Sequence, residues 1–222
     1  LIALLLAVSA NIGVSTMVSS FRVTFVSFLD QRLAPELFVR VEEEKTASAL
    51  EKYLLERELE VLPLLTVERP VVGQPAKLYG VRVGRTYRES WQFLGADPDV
   101  WDQVARGEAV IVNEQLARRN NLWVADEVDI APGLNIPIAA VVGDYGNPQG
   151  QVVMGELLFR KLYPNAVATS FGIRTTDTAN LRKAIQADLE VPDSGIINQA
   201  SIKNMSLEVF ERTFAVTAAL NI

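Results

Sequence analysis

The chain opens with LIALLLAVSANIGVSTMVSSFRVTF (residues 1–25), in which the first charged side chain is Arg22. Because an α-helix rises about 1.5 Å per residue, about 20 residues cross the roughly 30 Å hydrocarbon layer of a membrane. Ser9 and Gly13 stand four positions apart, a spacing of small residues that lets helices approach closely in lipid. The stretch predicts a membrane-spanning helix, and this prediction decides how the other residues are interpreted.

Two other interpretations of the stretch are open, a signal peptide and a buried core helix. Residues 1–8 resemble the apolar region of a signal peptide, and Val8-Ser9-Ala10 resembles a cleavage site. The basic segment and the initiator methionine of a signal peptide are missing, and the helical pattern runs on through Phe21, Phe25 and Phe28. We therefore expect residues 1–34 to form a transmembrane helix, truncated at its start, that continues into a stalk.

The other end of the chain, SLEVFERTFAVTAALNI (residues 206–222), has a similar character. Ser206 is a candidate N-cap, and Glu208 lies in the first turn, where the helix dipole favours an anion. No charged residue follows Arg212. An amphipathic helix packed on the core is the alternative, but we expect residues 206–222 to begin the next transmembrane helix.

Two such helices place aromatic and charged side chains where each helix would leave the lipid. We expect these residues to lie at the membrane junction and to couple movement of the helices to the domain between them. They are Phe21, Arg22, Phe25, Phe28, Arg32, Glu208, Phe210, Arg212 and Phe214.

The middle of the chain has two different patterns of predicted secondary structure. Residues 36–42 alternate as a half-buried strand, residues 44–58 have the period of a helix with Ala47, Leu50, Leu54 and Leu55 on one face, and strand patterns follow. Strand, helix and strand recur in residues 166–205, where Leu181, Ile185 and Leu189 would face inward. We expect an α+β fold in which residues 35–90 and 166–205 form one discontinuous βαβ subdomain.

Residues 91–165 form the intervening block, in which short strands alternate with small helices. Asn113 is expected to open one of these helices, and the glycine-rich GDYGNPQG (residues 143–150) is expected to connect a hairpin. Trp91, Phe93 and Trp101 could stack on a ligand, but core aromatic residues are the favoured interpretation. We expect an inserted β-rich subdomain.

Composition excludes several classes of function. The chain has no cysteine and no histidine, so a Ser–His–Asp triad, a Cys–His dyad or a zinc site of these ligands cannot form. A net charge of −6 argues against nucleic-acid binding. The phosphate-binding pattern GxxxxGK[ST] is absent. We expect no catalytic, cofactor-binding or metal-binding residue in this chain.

The chain resembles FtsX/MacB-type ABC transporter permeases. The resemblance is carried by residues 4–41, 107–130, 141–154 and 209–220, and SFRVTF (residues 20–25) is most similar to the second large extracytoplasmic domain of the ten-helix members. It implies a discontinuous porter subdomain with an inserted sabre subdomain, between transmembrane helices of the inner membrane. It also implies that a separate ABC ATPase binds the ATP.

The same resemblance implies a second permease copy and an extracytoplasmic partner, which could be a lipoprotein, a lipid or a periplasmic protein. The implied function is to relay ATP-driven motion across the membrane, for export, extraction or regulation. The alternative is a secreted or membrane-tethered ligand-binding domain, with residues 1–10 as its signal sequence.

Overall fold

The structure, a computed structural model, describes residues 2–144 and 147–219. The chain divides into two compact units. One contains Leu1–Ala34 and Asn198–Ile222 and is a pair of helices, and the other contains Pro35–Ile197 and holds the sheet and the remaining helices.

Eight α-helices, one 3₁₀ helix (Asp193–Gly195) and ten strands are found in the described residues. The helices are α1 (Ile2–Arg32), α2 (Glu44–Leu55), α3 (Arg85–Ser90), α4 (Val100–Arg106), α5 (Glu114–Arg119), α6 (Glu156–Leu162), α7 (Thr178–Leu189) and α8 (Gln199–Ala219). The strands are β1 (Leu37–Arg40), β2 (Glu60–Val71), β3 (Gln74–Val81), β4 (Gly95–Ala96), β5 (Val110–Asn113), β6 (Glu127–Ala131), β7 (Leu134–Val142), β8 (Gly150–Gly155), β9 (Ser170–Arg174) and β10 (Ile196–Asn198).

The strands form one mixed sheet in the order β10-β1-β9-β2-β3-β8-β5-β7-β4, with β6 paired to β7. The pairs β3–β8 and β5–β7 are parallel, and β1–β9, β2–β9, β2–β3 and β5–β8 are antiparallel. The predicted α+β class is confirmed.

Strands of both predicted subdomains belong to this one sheet. β3 lies in the 35–90 range and β8 in the 91–165 range, and they pair in parallel from Ala76 with Gly150 to Val81 with Gly155. The division into a porter subdomain (35–90 and 166–205) and an inserted subdomain (91–165) therefore stays a prediction.

Side-chain periodicity explains how the elements bury their apolar faces. In β1, Leu37 and Val39 are buried while Arg40 is exposed, as the alternation predicts. Helix α2 buries Ala47, Leu50 and Leu54. Leu55, which was expected on the same face, is instead 49% exposed, because it ends the helix one position beyond the buried stripe.

Of the aromatic residues of the predicted insertion, Trp101 belongs to the hydrophobic core, and Trp91 and Phe93 are half-buried and pack against it. Trp101 is 5% exposed, and its ring centroid lies 5.5 Å from that of Trp91 and 5.8 Å from that of Phe93. Tyr87 of α3 completes the group, 5.4 Å from Trp101. The interpretation as core aromatics, rather than as a ligand patch, is the one that this packing supports.

Two local predictions were wrong. Ser206 is not an N-cap, because α8 already begins at Gln199, after Asn198, whose side chain accepts a hydrogen bond from the Ser201 N–H at 2.8 Å. Residues 143–150 do not connect a hairpin, because β5 lies between β7 and β8 in the sheet and pairs with both. The helix opened by Asn113 was correct, and its side chain accepts from the Leu116 N–H.

Candidate functional site

The two long helices α1 and α8 run antiparallel, side by side. Gln199 donates a side-chain hydrogen bond to the Leu33 carbonyl near the end of α1, and Lys203 pairs with Asp30 one turn further on. Along the pair, Arg22 meets Glu211. Residue numbers rise along α8 as they fall along α1. The N-terminal part of α1 and the C-terminal part of α8 therefore lie at the same end of the helix pair.

An aromatic cluster holds the centre of this helix pair. The Phe25 ring stacks on Phe210 with 5.1 Å between centroids, and Phe21 lies 5.6 Å from Phe210 and 5.8 Å from Phe214. Phe21 and Phe25 are four residues apart, as are Phe210 and Phe214, so each helix presents two rings on one face. Phe210 is 7% exposed and is the most enclosed of the four. Aromatic pairs of this kind contribute roughly 0.5–1.5 kcal/mol each beyond their buried area.

Ion pairs flank the aromatic cluster. The guanidinium of Arg22 donates to the Glu211 carboxylate at 3.0 Å, and both side chains are more than half exposed. Exposed pairs in water contribute about 0–1 kcal/mol, so this pair adds little to the stability of the helix pair.

The structure brings five of the nine predicted junction residues together: Phe21, Arg22, Phe25, Phe210 and Phe214. The contacts described for the other four lie within a single helix. The Arg32 guanidinium lies over the Phe28 ring at 5.6 Å, within α1, and Glu208 pairs with Arg212 within α8 at 3.1 Å. The coupling role of all nine residues stays a prediction.

Sequence reasoning missed three residues of this contact region, namely Asp30, Gln199 and Lys203. Their helical spacing was visible, since Asp30 and Arg22 share a face and Lys203 precedes Glu211 by about two turns. The partner across the pair was not visible, because a local pattern in one helix carries no information about the offset of the other.

The apolar length of α1 satisfies the requirement for crossing a membrane. Residues Asn11–Arg32 are long and apolar enough by length and composition, and 6% of the most apolar window is buried within the protein. Four apolar side chains, Leu5, Val8, Ile12 and Met17, are each at least 49% exposed. Among the described residues, α1 is the one helix long and apolar enough to cross a membrane. The predicted second span (206–222) is described as far as Ala219 of α8, its residues 220–222 lie outside the described residues, and it stays a prediction.

A half-buried polar network lies within Pro35–Ile197. Arg82, which follows β3, donates to Glu51 of α2 at 2.5 Å and to Glu156 of α6 at 2.9 Å. Arg160 also donates to Glu156, at 2.9 Å. Burial raises the pKa of the Glu156 carboxyl, but hydrogen bonds from Arg82 and Arg160 outweigh it and hold the net pKa below its usual value.

The same balance applies to Arg82, where burial disfavours the charge and the two carboxylates raise the pKa above its ordinary value. The network therefore stays ionised and connects α2, the end of β3 and α6. Helix α6 is positioned by close packing as well: a Cβ at Gly80 of β3 would lie 2.4 Å from the Phe159 ring, so only glycine allows this approach.

Within residues 2–144 and 147–219, no group of three acidic residues has the geometry to hold a metal ion. The described residues show instead a helix pair in which the facing rings of Phe21, Phe25, Phe210 and Phe214 form an aromatic seam. They also show a mixed sheet whose strand β3 is joined to α2 and α6 by the Arg82 ion pairs.

No protein-family model matches the chain. Along 99% of its length it is 24% identical to the uncharacterized ABC transporter permease protein Rv0987 of Mycobacterium tuberculosis, and the chain spans 28% of that protein's length. Its fold matches the crystal structure of the periplasmic region of MacB from Actinobacillus actinomycetemcomitans, with a TM-score of 0.52 and 14% identity, over 76% of this chain and 90% of that one.

The resemblance to an FtsX/MacB-type permease is confirmed. The predicted α+β fold agrees with this MacB periplasmic structure, and the predicted division into two subdomains stays a prediction. The extracellular domain of the noncanonic ABC-type transporter YknZ from Gram-positive bacteria gives a TM-score of 0.48 at 10% identity, over 74% of this chain and 98% of that one.

Proposed function

We propose that the chain is the extracytoplasmic domain of an ABC transporter permease with its two adjoining transmembrane helices, and that it relays ATP-driven motion across the membrane. The observation that carries this proposal is the antiparallel pair of α1 and α8, held by Phe21, Phe25, Phe210 and Phe214. A relay needs helices that move together, and the aromatic seam with its flanking ion pairs supplies that property.

Stiffness is the second requirement of a relay. No proline or glycine interrupts residues 21–33, so the hydrogen-bonded ladder of α1 is continuous through this segment. Two residues, Leu33 and Ala34, separate α1 from the start of the second unit at Pro35, and α8 follows directly after β10. Connections this short leave few flexible residues to absorb a movement of the helices before it reaches Pro35–Ile197.

The proposed partners follow from the permease assignment. A cognate ABC ATPase would bind and hydrolyse ATP, since this chain lacks the phosphate-binding pattern. A second permease copy would complete the membrane channel or lever, and the protein would lie in the inner membrane with this domain outside the cytoplasm. A lipoprotein, a lipid or a periplasmic protein would be the cargo or the regulated partner, with no enzymatic activity in this chain.

The stiffness of α1 gives a direct test. Ser27→Gly with Phe28→Gly in the full-length permease, reconstituted with its ATPase, lowers helix stability in this stretch by about 1 kcal/mol relative to the parent and by about 2 kcal/mol relative to two alanines. The control is Ser27→Ala with Phe28→Ala, which removes the same side chains but keeps a strong helix former.

The readout is energy transfer between a fluorophore on Lys183→Cys, an exposed position of α7, and acceptor lipids in the bilayer. We expect ATP to change this transfer in the parent protein and in the alanine variant, and not in the glycine variant, with nucleotide binding unchanged. An ATP-dependent change of full size in the glycine variant would show that the relay proposal is wrong.

The ligand-binding alternative makes a different prediction. It requires cleavage near Asn11, yet α1 is helical without interruption from Ile2 to Arg32. The intact mass of the membrane-expressed protein separates the two functions. Loss of the first ten residues favours the secreted domain, and their retention favours the permease.

A further inference from the structure

A polar groove with a volume of about 310 Å³ lies beside α2, within Pro35–Ile197. One wall is the exposed face of α2, where Glu44, Ser48 and Glu51 follow one another at helical spacing. The facing wall is the irregular segment 164–168, with Arg160 of α6 at its edge. Neither the aromatic seam nor the permease proposal uses this groove.

The charges that line the groove leave a surplus of negative charge. Glu51 is bound through one carboxylate oxygen by Arg82, while Arg160 is held by Glu156, so these charges are largely matched. Glu44 forms no ion pair or hydrogen bond among the described contacts. A ligand group that enters beside Glu44 is therefore favoured when it carries positive charge.

The groove continues along the helix. A shallower depression shares Ser48 and Glu51 with it and extends to Leu55 and to Lys52 and Glu56, whose charges pair with each other at 3.8 Å. From Glu44 to Glu56 the helix rises by about 18 Å, which is the length of five or six residues of extended chain. Leu55, 49% exposed against the expectation from its position in the sequence, supplies an apolar contact at the far end.

We propose that this α2 groove binds an extended segment of a partner polypeptide that carries lysine or arginine together with an apolar residue. The carboxylates of Glu44 and Glu51 start about 10 Å apart along the helix axis, too far to share one metal ion but suited to successive side chains of an extended chain. This inference does not depend on the relay, because it concerns binding in the absence of ATP.

Ser48 allows a test with little risk to folding, because its side chain is exposed at the centre of the groove. The probe is a fluorescein-labelled hexapeptide of three lysines, two serines and one leucine, added to the full chain in detergent micelles. We expect saturable binding by fluorescence anisotropy, and Ser48→Arg to weaken it at least about tenfold, the effect of roughly 1.4 kcal/mol of repulsion and lost space. Ala49→Arg is the matched control, because it adds the same charge to the next, also exposed, position, which does not line the groove.

Two further measurements keep the inference open to refutation. Glu44→Gln, at an exposed position, is expected to weaken binding about threefold and to reduce its dependence on salt. The hexapeptide with glutamate in place of lysine is expected not to bind. The proposal is overturned if the basic and acidic peptides bind alike, if neither binds, or if the two arginine variants have the same affinity.

Discussion

The rings of Phe25 in α1 and Phe210 in α8 stack with 5.1 Å between their centroids and 14° between their planes. Arg22 and Glu211, separated by 189 positions in the chain, form an ion pair beside this stack. The helices at the two extremities of the chain thus form one antiparallel unit, with an aromatic contact at its centre and charged contacts at its edges.

The aromatic stack predicts the effect of removing its central ring. Phe210→Ala should loosen the helix pair by about 2–4 kcal/mol, because a nearly enclosed ring is lost. The measurement is cross-linking of Asp30→Cys to Lys203→Cys by a short bifunctional thiol reagent, which is specific because the chain has no other cysteine. Val209→Ala, at a position 67% exposed, should leave the yield unchanged. Equal yields in the two variants would show that the stack does not hold the pair.

The Arg82 network predicts a dependence of stability on pH. The folded-state pKa of Glu156 lies below its unfolded value, so the network contributes stability above the unfolded pKa and loses it as pH falls through the folded pKa. We expect the free energy of unfolding to decrease below about pH 5 and Glu156→Gln to flatten that decrease. Tryptophan fluorescence of the full chain in detergent reports the effect, because Trp91, Trp101 and Trp123 all lie within Pro35–Ile197.

Glu127→Gln, on an exposed strand position, is the control for this pH series. Its profile should follow that of the parent protein. A Glu156→Gln profile as steep as the parent's would assign the acid sensitivity to other carboxylates.

Asn113 predicts a large local loss of stability. It is fully buried, its side-chain oxygen accepts from the N–H groups of Leu116 and Gln151, and its amide donates to Asp144 and to the Gln149 carbonyl. Asn113→Ala should cost about 2–3 kcal/mol, because buried partners lose their hydrogen bonds. Urea unfolding measures the change, and Asn135→Ala, at an exposed strand position, should stay within about 0.5 kcal/mol of the parent.

The β2–β3 turn predicts a stabilising substitution. Val72 and Gly73 connect the strands, and both have positive φ, 49° and 71°. A β-branched residue is strained in this region, whereas asparagine adopts it readily, so Val72→Asn should gain about 1 kcal/mol. Gly73→Ala should lose about 1 kcal/mol, since nothing lies within 4 Å of the added Cβ and only the backbone conformation changes. The urea concentration at the unfolding midpoint should rise for Val72→Asn and fall for Gly73→Ala. A shift in the same direction for both variants would contradict the prediction.

Local patterns predicted the elements better than their partners. The buried stripe of α2 and the Asn113 cap were legible because they depend on residues three or four positions apart. The start of α8 was misjudged because Asn198 and Ser206 are both good caps, and the choice between them depends on where β10 ends. The insertion of β5 between β7 and β8 depends on long-range pairing, which no local pattern records.

β1 and β10, the strands that adjoin α1 and α8 in the chain, are immediate neighbours in the sheet. The chain therefore enters and leaves the unit Pro35–Ile197 at neighbouring strands. A unit whose two ends lie so close together can be replaced by another domain with equally close ends, without changing the contacts between α1 and α8.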